Sequence, residues 1–140
     1  MDISNYDPER LPARKVNRTP DEGARRNLRD GLKALLVDKF PELAPIYCGS
    51  INVRLDEPLA TRHDFAMPPT KWRAYWGEDR LEAFGFRRIK FQYPEDGAVY
   101  NKAWIWTPSL NAKLNDFMKE VLAVEVQGLK SGTRCRIHVD

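Results

Sequence analysis

The spacing of the apolar residues changes near residue 46, and this change limits the folds that the chain can adopt. Before it, apolar residues recur at steps of three and four, which places them on one face of a helix: Ala24, Leu28, Leu32, Leu35, Leu36 and Phe40. After it, Ile51, Val53 and Leu55 alternate with polar residues, as they do in a half-buried strand. The sequence therefore predicts an early helix followed by strands.

The predicted helix is long and covers about residues 20–40. Residues 19–22 read Thr-Pro-Asp-Glu, a capping box in which the threonine hydroxyl and the glutamate carboxylate each accept a hydrogen bond from a backbone amide. Proline at the first helical position loses no hydrogen bond, because that amide has no partner within the helix. Pro41 is expected to end the helix.

The chain is expected to fold as one domain with an N-terminal extension. Residues 1–18 contain prolines and charges without apolar periodicity, which predicts an extended arm. Residues 19–140 are expected to form the domain, since 140 residues with 42% hydrophobic content can supply a single core.

Short strands separated by turns are predicted over most of the remaining chain: residues 71–76, 80–93, 98–106, 121–126 and 133–139. Residues 59–71 are expected to be irregular or to form a short edge strand, because they contain Pro68 and Pro69. Residues 109–119 have helical spacing. This order predicts a mostly β fold with some α structure, a small closed or nearly closed β-barrel with one long N-terminal helix. An α+β sandwich is the alternative.

The overall charge is too balanced to identify a partner. The chain has 23 cationic and 20 anionic side chains, and this balance does not favour nucleic acid as a partner. No apolar run approaches the roughly 20 residues of a membrane span, and the N-terminus does not resemble a secretion signal, so a cytoplasmic protein is expected. Cys48 and Cys135 are too few for a disulfide framework and lack the spacing of a zinc site.

Polar groups stand where the first predicted strand begins, in the sequence Cys-Gly-Ser-Ile-Asn-Val-Arg-Leu-Asp at residues 48–56. Ser50 and Asn52 are two residues apart, so their side chains share one face of the strand. A hydroxyl and an amide oxygen suit Mg²⁺, and Gly49 would allow a ligand to approach the backbone closely. The alternative is that these residues only satisfy a turn, which is what their turn preferences favour.

Residues 49–55, read as G-S-I-N-V-R-L, resemble the G-T-L-N-V signature of the archaeal-type, CTP-dependent riboflavin kinases, a family of cradle-loop β-barrels. Further similar segments follow the family's order between Leu32 and Val139: Phe-Pro at 40–41, Phe-Gly at 84–85, Glu-Val-Leu-Ala at 120–123 and Gly-Leu-Lys-Ser-Gly at 128–132. Each motif is short, so their order carries more weight than any one of them.

The resemblance implies a site and an activity. Ser50 and Asn52 match the residues that hold Mg²⁺ in the family, with Gly49 beside them. Glu120 matches an acid that contacts the flavin and would orient or deprotonate the acceptor hydroxyl, and Asn111 is nearest to a second flavin contact. The implied reaction is Mg²⁺-dependent phosphoryl transfer from a nucleotide to a riboflavin-like acceptor, so the expected ligand is a flavin or a nucleotide.

The chain departs from the family at its nucleotide contacts. Residues 9–18 contain no glycine where the family has a glycine-rich loop, and residues 123–128 have neither the proline nor the arginine of the family's second contact. Four cations could bind phosphate instead, or could form a solvated arm: Lys15, Arg18, Arg25 and Arg26. The alternatives to a kinase are a non-catalytic ligand-binding or interaction module and a nucleic-acid-binding barrel.

Overall fold

A single antiparallel sheet and one short helix make up the fold. The computed structural model describes residues 14–17, 27–74, 76–110, 114–130 and 132–139. The strands are β1 (Arg14–Asn17), β2 (Ile51–Arg54), β3 (Phe65–Arg73), β4 (Asp79–Tyr93), β5 (Ala98–Pro108), β6 (Met118–Ala123) and β7 (Arg136–His138). A π-helical segment, Asn27–Leu32, leads into helix α1, Lys33–Lys39, which is followed by a 3₁₀ turn at Pro41–Leu43.

The seven strands form one sheet in the order β1-β2-β6-β5-β4-β3, and β7 pairs with β4. Strand β4 organises this arrangement because it is 15 residues long. Its first half pairs with β3, and Lys90–Gln92 pair with β7, so these two strands share the edge of β4 that lies opposite β5. Strands β2 and β6, which are far apart in sequence, are neighbours.

Both faces of the sheet are buried. One face carries a cluster that we call the strand core, which includes Val53, Leu55, Ile105, Val121 and Ile137. The other face carries the helix core, in which residues of the helical region pack on the sheet: Leu28, Leu32, Leu36, Leu43, Phe84, Phe86, Trp104, Trp106 and Leu122. Successive side chains of a strand point to opposite faces, so the four consecutive buried residues at 103–106 of β5 are covered on both sides.

The predicted closure of the sheet into a barrel is wrong. In the described part of the chain, β1 forms one edge of the sheet and pairs only with β2, while β3 and β7 lie at the opposite edge. The helical region covers one face, so the sheet can bury both faces without closing on itself. The prediction of a mostly β fold is right at this coarser level.

The predicted long N-terminal helix is also wrong. Helix α1 has only seven residues, and the π-helical segment before it has six. Gly31 explains part of the irregularity, because a Cβ there would lie 2.6 Å from the backbone oxygen of Arg73 in β3. At Gly31 the backbone of the helical region therefore lies against the backbone of β3, where a regular amphipathic helix would pack a side chain. The capping box at 19–22 lies outside the described residues, and α1 ends just before Phe40 and Pro41, as expected.

Strand β3 runs through Pro68 and Pro69 at an edge of the sheet, which agrees with the predicted edge strand, and its register with β4 shifts between Met67 and Thr70. One other segment differs from its prediction. The described part of 109–119 is not helical. There the side chain of Asn115 accepts hydrogen bonds from the amides of Phe117 and Met118, at 2.8 and 3.0 Å, and forms the turn into β6.

Within the described ranges, no helix has the length and apolar character needed to cross a membrane.

Candidate functional site

The structure brings together three of the residues singled out in the sequence. Asn52 of β2 lies opposite Glu120 of β6, so both side chains are on the same face of the sheet. Ser50 precedes Asn52 by two residues, and its hydroxyl donates a hydrogen bond of 2.6 Å to Glu120 Oε1. We call Ser50, Asn52 and Glu120 the polar cluster.

Glu120 is the most buried member of the polar cluster, with 9% of its surface exposed. Its neighbour on β5 is Trp106, which belongs to the helix core. A carboxylate in such surroundings is stable only when hydrogen bonds or charges compensate for lost water, and the Ser50 hydroxyl supplies a charge-assisted hydrogen bond. The indole nitrogen of Trp106 is buried too, and among the described residues it has no hydrogen-bond partner. The end of the helix core next to Glu120 is therefore polar.

A cavity of about 210 Å³ lies beside the polar cluster. It is lined by Tyr47, Gly49, Ser50 and Ile51 on one side and by residues 123–129 on the other. Ser50 belongs both to the cavity wall and to the polar cluster. Because drug-sized ligands occupy pockets of roughly 300–1,000 Å³, this cavity suits a small ring or one part of a larger ligand.

Hydrogen bonds hold both walls of the cavity in place. On one side, the amide of Tyr47 donates to the carbonyl of Ala123 at 2.7 Å. On the other side, the Tyr93 hydroxyl donates to the carbonyl of Gly128 at 3.1 Å and accepts from the amide of Lys130 at 2.7 Å. The segment after β6 is thus fixed to β4, and the cavity is a preformed feature of the sheet end.

The polar cluster fits a hard cation in its chemistry. Its donor atoms are a hydroxyl, an amide oxygen and a carboxylate, which are the oxygen ligands that Mg²⁺ prefers. It supplies only one carboxylate, and the part of the chain that the structure describes contains no group of three His, Cys, Asp or Glu that could hold a metal. A cation held here would therefore take further ligands from water or from phosphate oxygens, as Mg²⁺ commonly does.

The other predicted site residues are only partly placed. Gly49 is buried and lines the cavity. The backbone of Lys15 lies in β1 opposite Val53, while its side chain is outside the description. Asn111, Arg18, Arg25 and Arg26 lie outside the described residues, so their roles stay predictions.

Sequence reasoning missed the residues that hold the cavity walls. Tyr93 reaches Gly128 across 35 positions and Tyr100 accepts a hydrogen bond from the amide of Gln127 across 27, contacts that no local pattern announces. One signal was present. Residues 123–128 stand where the resemblance would put a second nucleotide contact, although they lack its proline and arginine, and they form most of one cavity wall.

Comparison with known proteins adds no assignment, since no protein-family model and no curated protein sequence matches this chain.

Proposed function

We propose that the protein binds a small phosphorylated or flavin-like ligand in the cavity beside the polar cluster, with Mg²⁺ held by Ser50 and Asn52. The observation that carries this proposal is the 2.6 Å hydrogen bond between Ser50 and Glu120 at the edge of the cavity. It joins the buried carboxylate of Glu120 to Ser50, which itself lines the cavity. The cytoplasm is the compartment in which we expect this binding to occur.

In its specific form, the proposal is phosphoryl transfer to a riboflavin-like acceptor. Bound Mg²⁺ would neutralise charge on the donor phosphates. Glu120 would accept a hydrogen bond from the acceptor hydroxyl and take its proton as the hydroxyl oxygen bonds to phosphorus and the bond to the nucleoside diphosphate breaks. Burial of Glu120 supports this role, because a carboxylate shielded from water holds a substrate hydroxyl in a fixed orientation.

A non-catalytic ligand-binding module is the second candidate. It is favoured by one observation in the sequence, the lack of glycine in residues 9–18 and of proline and arginine in residues 123–128. Without these groups, the chain lacks the backbone cradle expected around a triphosphate.

A thermal-shift screen tests the proposal. Riboflavin, its phosphate and the four common nucleoside triphosphates are added singly, with and without Mg²⁺. A ligand present at a hundred times its dissociation constant stabilises the fold by about 2.7 kcal/mol, so binding is readily detected. We expect at least one of these compounds to raise the melting temperature more in Mg²⁺ than without it.

Product analysis then separates the two candidates. Wild-type protein and Glu120→Gln are incubated with riboflavin, Mg²⁺ and each triphosphate, and the flavin products are resolved by chromatography. A kinase forms a phosphorylated flavin that Glu120→Gln does not, whereas a binding module shifts in melting temperature and forms no product. If no compound shifts the melting temperature, the proposed ligand class is wrong.

A further inference from the structure

The helical region leaves part of its side of the sheet uncovered. Ile89 and Phe91 of β4 belong to the strand core, so Lys90 between them points to the opposite side. His138 of β7 lies opposite Lys90 and shares that side. We call this uncovered surface the basic face, and its residues come from three neighbouring strands: Arg88, Lys90, Val99, Lys102 and His138.

Two adjoining grooves cross the basic face. One has a volume of about 450 Å³ and runs from β7 across β4 to β5, and the other, of about 430 Å³, runs from β5 to the turn that follows α1. Arg88 lines both grooves, so they meet at its side chain. This path along the surface suits an extended chain better than a compact ligand, because small-molecule sites bury most of the surface of the ligand.

The basic face carries an excess of positive charge. Lys90 and Lys102 are exposed, and within the described ranges neither forms an ion pair. Among the described residues that line the grooves, the acid is Glu42, and its carboxylate already accepts hydrogen bonds from Arg88 and from the indole nitrogen of Trp104. Two lysine charges are therefore left without a compensating acid along the grooves.

His138 adds a hydrogen-bond acceptor to this surface. Partial burial lowers the pKa of His138, and the charges of Arg136 and Lys90 lower it further, so the ring is neutral at pH 7. Its Nε2 is 2.9 Å from Oε1 of Gln92. Because that amide oxygen can only accept, Nε2 carries the ring proton, and the other ring nitrogen is left as an acceptor.

Arg88 is held in place where the grooves meet. Its side chain donates to the Glu42 carboxylate at 2.9 and 2.5 Å, and its guanidinium lies 4.8 Å from the centre of the Phe65 ring. Its backbone amide donates to the carboxylate of Asp64 at 2.8 Å. A guanidinium has five N–H donors, so Arg88 can also donate to an oxygen in the grooves while it keeps these contacts.

We propose that the basic face binds a single strand of nucleic acid along the two grooves. Lys90 would contact a phosphate in the first groove and Lys102 a phosphate in the second, since cations along a groove are the usual partners of such a backbone. The nearly balanced charge of the whole chain does not oppose this binding, which depends on where the cations lie.

The chemistry of the basic face favours a nucleic acid over an acidic peptide. A base offers N–H groups to the acceptor nitrogen of His138 and an apolar ring face to the exposed side chain of Val99, whereas carboxylate side chains offer neither. A duplex displays its base edges inside its grooves, which the flat side of a sheet does not enter. A single strand is therefore the form whose bases these residues can reach.

The basic face is independent of the proposed function. None of the described residues that line the cavity beside the polar cluster lines either groove. Loss of nucleic-acid binding would therefore leave the proposed ligand site intact, and failure of the ligand screen would not affect the grooves.

Fluorescence anisotropy with a short, labelled single-stranded RNA of mixed sequence tests the proposal. We expect saturable binding that weakens as salt rises from about 50 to 200 mM, because phosphate contacts release counterions. Lys90→Gln combined with Lys102→Gln is expected to weaken binding at least about tenfold, and to reduce the salt slope by about 1.4, at about 0.7 for each phosphate contact. Lys39→Gln combined with Lys71→Gln removes the same charge from exposed positions outside the grooves and should bind RNA much as the wild type does.

Three further probes identify the partner: DNA of the same sequence, the corresponding duplex and a labelled polyglutamate peptide. A preference for either single strand over the duplex and the peptide, lost in the Lys90 and Lys102 variant, supports the proposal, and the tighter of RNA and DNA identifies the sugar. Binding of the peptide or the duplex as tight as that of the single strands, no binding at the lowest salt concentration, or equal affinities in the two double variants would overturn it.

Val99→Glu provides a second measurement of where the strand lies. It places a negative charge in the first groove at an exposed position, so the variant is expected to fold with an unchanged melting temperature and to bind RNA at least about tenfold more weakly. Leu81→Glu, at an exposed position of β4 outside the grooves, is the matched control. Equal affinities in these two variants would contradict the proposed path along the grooves.

Discussion

At the scale of the residue, neighbouring side chains of β6 serve opposite faces of the sheet. Glu120 contacts Ser50 at the polar cluster, and Lys119 lies with Arg87 in the strand core. Ser50 and Asn52 were singled out because they lie in one local motif, and Glu120 was singled out only through the family resemblance. The sequence did not predict that Lys119 is buried, because the sequence pattern around a single charged residue of a strand is the same whether the side chain is exposed or buried.

Asn52→Leu tests whether the polar cluster holds a cation. The change keeps the volume of the side chain and removes the amide oxygen, so we expect Mg²⁺-dependent ligand binding to be lost while the melting temperature stays near that of the wild type. Asn101→Leu, at an exposed position of β5, is the matched control. If Asn52 instead satisfies buried backbone groups, Asn52→Leu loses about 1–3 kcal/mol of stability and ligand affinity does not change.

Lys119 is expected to make stability depend on alkaline pH. Its pKa in the folded protein is lowered below 10.5, mainly by burial, so the unfolded chain binds the proton more tightly. The free energy of unfolding therefore rises with pH from the lowered pKa up to about 10.5. Urea denaturation from pH 7 to 10 should show this rise in the wild type.

The difference between the wild type and Lys119→Met isolates this effect from other titrating groups. Lys119→Met is expected to be the more stable protein at pH 7, and its advantage should shrink as pH increases. Parallel pH profiles for the two proteins would contradict the lowered pKa of Lys119.

At the scale of the element, local patterns predicted most strands but not the helix or the order of the sheet. Alternation placed β2, and strand-prone composition between turn signals placed β4 and β5, close to their observed positions, because these patterns are local. The helical stripe was less informative. Leu28, Leu32 and Leu36 are buried, but Leu35 is 37% exposed, because the π-helical segment and Gly31 change how the helical region meets β3.

Glu42 ties the helical region to the sheet. Its carboxylate accepts hydrogen bonds from Arg88 in β4 and from the indole nitrogen of Trp104 in β5, at 2.9 Å each. The hydrogen bond from Arg88 is the main cause that holds the pKa of Glu42 below 4.5, against the opposing effect of burial. The carboxylate thus stabilises the fold above the unfolded pKa, and this contribution is lost as pH falls through the lower folded value.

Glu42→Gln is therefore expected to lose about 1 kcal/mol of stability at pH 7, a modest amount because the ion pair is partly exposed. The loss should shrink as pH falls below about 4.5, where the wild-type carboxylate becomes protonated as well. Chemical denaturation from pH 3 to 7 measures this, with Glu125→Gln as a control at an exposed carboxylate away from the helical region. A loss that is the same at pH 3 and pH 7 would rule out the charge of Glu42 as the cause.

At the scale of the whole molecule, one sheet with both faces covered replaces the predicted barrel. The number and spacing of strands predicted a β-rich domain. Closure of the sheet depends on which distant strands pair, and no local sequence motif encodes that pairing. The helical region and the sheet bury the helix core together, so the sheet reaches a stable state with two open edges. The polar cluster does not depend on closure of the sheet, because it needs only the pairing of β2 with β6 and the hydrogen bond from Ser50 to Glu120.

Nucleotide affinity depends on more than one local motif, since the expected clamp would come from residues 9–18 and 123–128, which are far apart in the chain. Because glycine is missing from residues 9–18 and arginine from residues 123–128, CTP is expected to bind far more weakly than to a protein that has the complete clamp. Titration calorimetry in Mg²⁺ measures this directly. A micromolar dissociation constant for CTP would show that other groups replace the clamp.

The pairing of β2 with β6 also affects how the protein acquires its sites. Asn52 and Glu120 are adjacent in space but separated by almost half of the chain, and β7, near the C-terminal end, must return to β4. Such distant pairings form more slowly than the contacts between consecutive strands, because longer loops must close before the contacts stabilise them. During synthesis, the polar cluster cannot bind a ligand until β6 has been made and has paired with β2. Ligand binding would therefore stabilise the sheet only at a late stage, because the first hundred residues of the chain do not include β6 and cannot complete the sheet.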